Sequence, residues 1–186
     1  MTPIISFQLA RPGDANAIAC MSRDLIETGL GWTWTPARVA WQIRSRDCVV
    51  LVARANKVIA GFGIMHFARE VAHLNLFAVA TAHRRRGIAT RLLRWLERSA
   101  MVAGIATIEL ELRGSNRAAR GFYRQAGYEE IRLVPDYYRG LESAIHMARY
   151  LRVNEKVGLQ IFYSKCPFVP EVRQPRSGGI DTGGRG

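Results

Sequence analysis

The stretch Leu74-Asn75-Leu76-Phe77-Ala78-Val79, followed after a short connection by Arg84-Arg85-Arg86-Gly87-Ile88-Ala89, decides how this chain is read. The first segment is a short apolar run bounded by polar residues, as a mostly buried strand is. Behind the second, Ile88, Leu92, Leu93, Leu96 and Ala100 recur at helical spacing on one face, while Arg91, Arg94, Glu97 and Arg98 fall elsewhere. A strand therefore feeds a basic, glycine-bearing turn that opens an amphipathic helix. The first N–H groups of a helix have no partner within it and carry the positive end of its dipole, so a pyrophosphate can supply the missing acceptors. Gly87 and Ala89 let the backbone approach such an anion with little side chain in the way. Taken alone, the same turn also reads as a solvated basic loop.

Composition sets limits around that stretch. A chain of 186 residues with 48% hydrophobic content suits one domain with a substantial core. No apolar run approaches the roughly 20 residues that span a bilayer. The N-terminus Met1-Thr2-Pro3-Ile4-Ile5 lacks a basic region followed by a signal-type apolar core, so a cytoplasmic protein with no membrane partner is expected. Cys20, Cys48 and Cys166 are far apart and lack metal-ligand spacing, which reads as reduced, structural cysteines. Lys and Arg number 27 against 15 Asp and Glu, a net charge of +12, so an anionic ligand or partner is expected. Arg84, Arg85, Arg86, Arg91, Arg94 and Arg98 crowd one turn and helix, and their planar guanidinium groups suit phosphate. Coenzyme phosphates and ribosomal RNA fit that charge equally, as does general solubility.

Along the chain, residues 4–9 read as a strand and 14–27 as a helix capped by Asp14. A loop carrying Gly29, Gly31, Trp32 and Trp34 leads to Thr35-Pro36, a good helix start, with that helix running to about Arg46. Residues 48–54 and 58–67 form a hairpin about Ala55-Asn56-Lys57, and a third strand covers 71–79. The helix from Gly87 should stop near Ala103-Gly104. Residues 106–112 then alternate, Ile108, Leu110 and Leu112 on one side and Glu109, Glu111 and Arg113 on the other. Ser115-Asn116 caps a helix through Gln125, ended by Gly127, and strands at 128–133 and 143–150 close the domain. From Asn154 the chain becomes rich in Pro and Gly and is expected to be mostly disordered.

Arg84 through Ala89 satisfies a motif of Gln or Arg, two variable residues, Gly, one variable residue, then Gly or Ala, and the chain thereby resembles the GCN5-related N-acetyltransferases over residues 4 to 151. Leu110-Glu111-Leu112-Arg113-Gly114-Ser115-Asn116, followed by Ala118-Ala119, Phe122-Tyr123 and Gly127-Tyr128, looks like the bacterial ribosomal-protein alanine N-acetyltransferase branch. Tyr137-Tyr138 and Ala144-Ile145-His146-Met147 are similar to that branch too. The resemblance implies an α/β fold, a mixed, mostly antiparallel sheet of about seven strands flanked by about four helices. It places this acetyltransferase domain at residues 1–152, with 153–186 as a C-terminal extension.

By the same resemblance, acetyl-CoA is the donor and no metal is needed. The backbone of Arg84, Arg85, Arg86, Gly87, Ile88, Ala89 and Thr90 would hold the coenzyme pyrophosphate, Asn116 would touch the coenzyme, and the N–H groups of Phe77, Ala78 and Val79 would polarise the thioester carbonyl. Glu111 would be the base for an amine and Tyr123 the acid for the departing thiolate. Plainer roles stand beside these: Glu111 as a surface carboxylate paired with an arginine such as Arg113, Tyr123 as a ring packed on the sheet. Glu109 shares the face of Glu111, and two carboxylates so close would raise one pKa toward neutrality. His66, His73, His83 and His146 are dispersed and read as structural or surface groups.

For the acceptor, the branch's Pro-Trp-Ser or Pro-Trp-Thr element appears here as Thr33-Trp34-Thr35, and Trp34 and Tyr138 are the expected lining residues, with Trp32 beside them or serving as a loop anchor. Three classes of function remain open at this point. They are transfer to a protein N-terminus or lysine, a ribosomal protein included; transfer to a small-molecule amine; and an RNA-associated protein or an enzyme acting on charged tRNA.

Overall fold

The structure, a computed structural model, describes residues 4–138, 140 and 142–151. The extension expected at residues 153–186, and Cys166 within it, lies outside the described residues. Seven strands form one sheet: β1 (Ile5–Leu9), β2 (Cys48–Ala55), β3 (Val58–Ala68), β4 (Val71–Val79), β5 (Thr107–Arg113), β6 (Glu129–Tyr138) and β7 (Glu142–Tyr150). Their order across the sheet is β1-β2-β3-β4-β5-β7-β6. Every neighbouring pair is antiparallel except β4 and β5, which are joined through the crossover helix α3 (Ile88–Val102). The remaining helices are α1 (Ala15–Leu25), α2 (Pro36–Arg44) and α4 (Arg117–Gln125). The α/β sheet of seven strands and four helices is the architecture the resemblance implies.

Alternation along the strands divides the core in two. On β2, Leu51 and Ala53 join a cluster with Ile88, Leu92, Leu93 and Leu96 of α3 and Tyr123 of α4, while Val50 and Val52 join Ile18 of α1 and Val39 of α2. Each layer therefore buries one face of the sheet, and each fully buried leucine or isoleucine contributes about 1.5–3 kcal/mol. The helical stripe read from Ile88 to Ala100 is buried as expected. At its end the chain turns through Gly104 at φ +83°, a conformation open to glycine without strain.

Three local expectations are corrected. Asp14 does not cap α1 with its side chain; it accepts the Arg11 N–H at 2.8 Å and the Arg54 guanidinium at 2.5 Å, tying the helix entry to β2. α1 stops at Leu25, short of Glu27, because Glu27 has a different use described below. β6 runs on to Tyr138 past Pro135, which an edge strand tolerates, with a register shift between Val134 and Tyr138 and Asp136 at φ 53°. By contrast Thr35 does cap α2, its hydroxyl accepting the Arg38 N–H at 3.3 Å. Thr35→Ala is expected to cost about 1 kcal/mol and lower Tm by about 2–4 °C in a thermal melt; an unchanged Tm would show that this cap contributes nothing.

Two irregularities in β4 position the site. Ile64 pairs with Leu76 and Met65 with Leu74, so Asn75 is an extra, bulged residue. Ahead of it Ala72 and Leu74 point into the α3 and α4 layer, and beyond it Leu76 and Ala78 point into the α1 and α2 layer. The second irregularity is that β4 and β5 pair only through Val71↔Thr107, Ala72↔Ile108 and His73↔Glu109. β4 stays on β3 as far as Val79 and β5 stays on β7 as far as Arg113, so past His73 the two strands part and the sheet opens.

Candidate active site

The mouth of this opening lies beside the basic turn. Arg85 (φ 61°) and Gly87 (φ 71°) both adopt left-handed conformations, curling the backbone just before α3. Such kinks turn successive amides toward one concavity. Gly87 occupies the N-cap position of α3 without any side-chain cap, and a Cβ built on it would meet nothing within 4 Å. The uncapped amides of Ile88, Ala89 and Thr90 are thus left for an acceptor from outside the chain. The arginines do not all face that concavity. The Arg84 Nε donates to the Val79 carbonyl at 3.2 Å, and the Arg91 guanidinium lies 4.4 Å from the centre of the Phe7 ring.

In the opening, Phe77 turns its ring toward α4, stacking on Phe122 at 6.0 Å and tilting against Tyr123 at 6.3 Å. Phe77, Ala78 and Val79 belong to the stretch of β4 whose β5-facing edge is unpaired. Tyr123 is buried among Phe77, Phe122 and Tyr128, and that burial pushes its phenol well above the usual tyrosine range. It therefore stays protonated and has a proton to donate. The packing role read from the sequence is seen in this ring, and it leaves the phenol a proton to give. Asn116 caps α4, its Oδ1 accepting the Ala119 N–H at 3.1 Å, which leaves its amide nitrogen for any ligand.

Glu111 lies on the other face. Leu110 and Leu112 of β5 point into the α3 and α4 layer, so Glu109, Glu111 and Arg113 point toward the side of α1 and α2. Arg113 is not the partner of Glu111. Its Nε donates to Glu142 at 2.5 Å, its Nη1 donates to the Thr28 carbonyl at 2.8 Å, and Ser115 bonds the same Glu142 carboxylate. Glu111 sits instead between two imidazoles: His73 Nε2 is 2.7 Å from Oε2, and His146 Nδ1, directly across on β7, is 3.6 Å from Oε1. The reading of these two histidines as dispersed is overturned, since strand pairing brings both to Glu111. So is the expectation that Glu109 raises Glu111. Burial does push the Glu111 carboxyl up, but the His73 hydrogen bond and charge, with the charge of His146, hold it below the ordinary carboxylate value.

On the acceptor side, Glu27 explains the end of α1. Its buried carboxylate accepts Ser22 Oγ at 3.1 Å, Thr33 N at 2.7 Å, Thr33 Oγ1 at 2.5 Å and Trp34 N at 3.3 Å, which fixes the connection between α1 and α2. Trp34 packs in the core with Ile18, Val39 and Leu76, the Arg38 guanidinium 4.1 Å from its ring centre. Trp32 is 41% exposed and so offers the larger contact surface. Tyr138 is raised above the usual tyrosine range by burial and by the charges of Tyr137 and Glu111, and Tyr137 sets its ring edge-on to both Tyr138 and His146. Glu27 and the two histidines are the site residues that sequence reading missed. Alternation alone could have placed His73 on the face of Glu111, once β4 and β5 were taken as parallel neighbours.

Among the described residues, no group of three His, Cys, Asp or Glu side chains is arranged to hold a metal ion. No described helix is long and apolar enough to cross a membrane. Cys48 donates its thiol to Gln42 Oε1 at 2.6 Å and is pushed up by burial, which disfavours the thiolate.

The acetyltransferase (GNAT) family model matches residues 21–128, from α1 through the end of α4. The chain belongs to the GNAT family. Within it, the [ribosomal protein bS18]-alanine N-acetyltransferase of Escherichia coli K12 is 35% identical over 96 residues, 50% of this chain and 65% of the relative. An uncharacterised N-acetyltransferase of Methanocaldococcus jannaschii is 41% identical over 78 residues, 41% of this chain and 50% of the relative. The chain thus spans about two thirds or less of these curated GNAT relatives. Among solved structures, the E. coli ribosomal-protein-S18-alanine N-acetyltransferase superposes with a TM-score of 0.72 at 24% identity, covering 84% of this chain and all of that one. Ard1 of Thermoplasma volcanium gives 0.71 at 22% identity, over 80% of this chain and 99% of that one. At those identities the GNAT likeness is one of fold.

Proposed function

We propose that this chain moves the acetyl group of acetyl-CoA directly to a primary amine, with a protein N-terminus of the ribosomal-protein alanine type as acceptor. The observation that carries it is the opening between β4 and β5, with Tyr123 on one face and Glu111 on the other. The donor approaches from the α3 and α4 side, its pyrophosphate on the amides of residues 87–90 and the basic turn of Arg84, Arg85 and Arg86. Its thioester enters the opening, where the amides of Phe77 and Val79 polarise the carbonyl, that of Ala78 being turned to β3 by the antiparallel ladder. The amine arrives from the α1 and α2 side, past Trp32, Trp34 and Tyr138. Glu111 takes its proton, directly or through one water, as nitrogen attacks the carbonyl carbon; the C–S bond breaks and Tyr123 protonates the leaving thiolate. Asn116 adds an amide contact to the donor.

A protein acceptor is supported by the E. coli relative named for ribosomal protein bS18, and by an acceptor side built from a fixed connection with an exposed tryptophan. An RNA role loses support because Arg84 and Arg91 are turned onto the chain's own backbone and Phe7 ring. The test is thiol release from acetyl-CoA against alanine-starting peptides, lysine peptides and small polyamines. Turnover confined to an alanine-starting peptide supports the proposal, turnover only on polyamines moves the acceptor to small molecules, and acetyl-CoA that neither binds nor reacts overturns it. Tyr123→Phe is expected to lower kcat about tenfold or more with little change in acetyl-CoA affinity, measured by the same assay and by calorimetry; full activity would remove Tyr123 as the acid.

A further inference from the structure

We propose that His73 is a positioning residue for proton removal at Glu111: imidazole and carboxylate, 2.7 Å apart, act as one base that stores the proton of the acceptor amine on the imidazole. This rests on the acetyl-transfer reading and specifies where its proton goes. The two side chains are 22% and 18% exposed, enough for an amine or a water to reach them and too little for bulk solvent to screen the pair.

Asn75 makes the arrangement directional. Its Oδ1 lies 2.9 Å from His73 Nδ1, and it is the bulged residue of β4, so the bulge that opens the strand also supplies the group that orients the ring. With Nδ1–H donated to Asn75, a neutral His73 presents a bare Nε2 to Oε2 of Glu111. Two lone pairs at that distance repel, and a proton placed between them relieves the repulsion. The amine N–H bond breaks, an O–H bond forms on Glu111, and the proton passes from Oε2 to Nε2, leaving carboxylate and imidazolium. After acetyl transfer the imidazolium returns this proton to water. Removing either partner takes away that affinity, which a lone carboxylate does not have.

The groups around the pair distinguish His73 from His146. Glu109 faces His73 from β5, His66 is its register partner on β3, and Tyr138 of β6 lies near Glu111. Glu111, Asn75 and Glu109 together hold the His73 imidazole above its ordinary value despite burial. His146 is lowered by burial, its nearness to Glu111 being offset by Arg132 of β6 and His73, and its Nε2 is buried without a partner. His73 is therefore the ring that keeps the proton.

Such a base works only above the midpoint of His73, so kcat falls as pH drops through a value above the ordinary 6.5 or so of histidine, instead of through the 4 to 5 of a carboxylate. The test has two arms on the full chain. In the first, ring titration of 15N-labelled histidine by NMR, without substrate, should show the His73 midpoint falling by about one pH unit or more in Glu111→Gln; an unmoved midpoint overturns the pair. In the second, the pH dependence of kcat with acetyl-CoA and an alanine-starting hexapeptide is compared between wild type and His73→Gln, which keeps a hydrogen-bond donor beside Glu111. The acid limb should move down by about a unit or more and kcat at pH 8.5 fall about tenfold, with KM for acetyl-CoA within about twofold. A limb that stays in place overturns the proposal even if kcat drops. Turnover of no amine at all would overturn the acetyl-transfer reading instead, while the NMR arm still decides the pair.

Discussion

Glu111→Gln is expected to lower kcat by about 10²–10⁴-fold while leaving acetyl-CoA affinity within about twofold. The amide has the carboxylate's shape, and its NH2 can donate to the bare His73 Nε2, which lies 2.7 Å from Glu111 Oε2 in the wild type, so the pocket keeps its packing. What it loses is the ability to bind a proton in the working pH range. Glu111 points away from the α3 and α4 face proposed for the donor, which is why coenzyme affinity should not follow turnover. Rapid thiol-release kinetics with the best acceptor of the peptide panel, paired with calorimetry for acetyl-CoA, separates the two. A variant that turns over at the wild-type rate would remove Glu111 as the proton acceptor.

Gly87→Glu is expected to weaken acetyl-CoA binding by about 100-fold or more in the same calorimetric titration. Gly87 sits at φ 71°, where any side chain is strained by about 1–2 kcal/mol, and its Cβ direction opens into space where nothing lies within 4 Å. A carboxylate there would lie where the pyrophosphate must, adding like charge and bulk at the positive end of α3. Because that space is empty of protein, the fold is not asked to move. Gly87→Ala serves as the control, bearing the backbone strain without the charge and losing much less affinity. Equal affinity in the glutamate variant and wild type would dismiss the phosphate cradle.

The sheet, its helices and the side of β5 that carries Glu111 were legible because alternation on β5 and the 3.6-residue stripe on α3 are local patterns. The uncapped basic turn before α3 was legible for the same reason, strand, turn and helix being contiguous in the chain. The environment of Glu111 was not, since it depends on register. His146 faces Glu111 only through the pairing of β5 with β7, and His73 through three rungs of parallel pairing. Thirty-eight residues separate His73 from Glu111, and no spacing rule connects them. Glu27 was hidden by a different effect. Helical propensity carried α1 through it, while the tertiary demand of the Thr33 and Trp34 amides turned it into a loop anchor.

Asn75 makes β4 sensitive to chemistry more than to counting. An aspartate, serine or threonine there would keep the bulge, since the extra residue has no partner to match. Deleting it would make Leu74 and Leu76 neighbours on opposite faces, which they already occupy, so Leu76 and Ala78 would still face α1 and α2 and Phe77 would keep its stack on Phe122. What would vanish is the amide oxygen 2.9 Å from His73 Nδ1, and with it the group that orients the ring beside Glu111. The strand therefore reads the same with this letter missing, and the imidazole beside it does not.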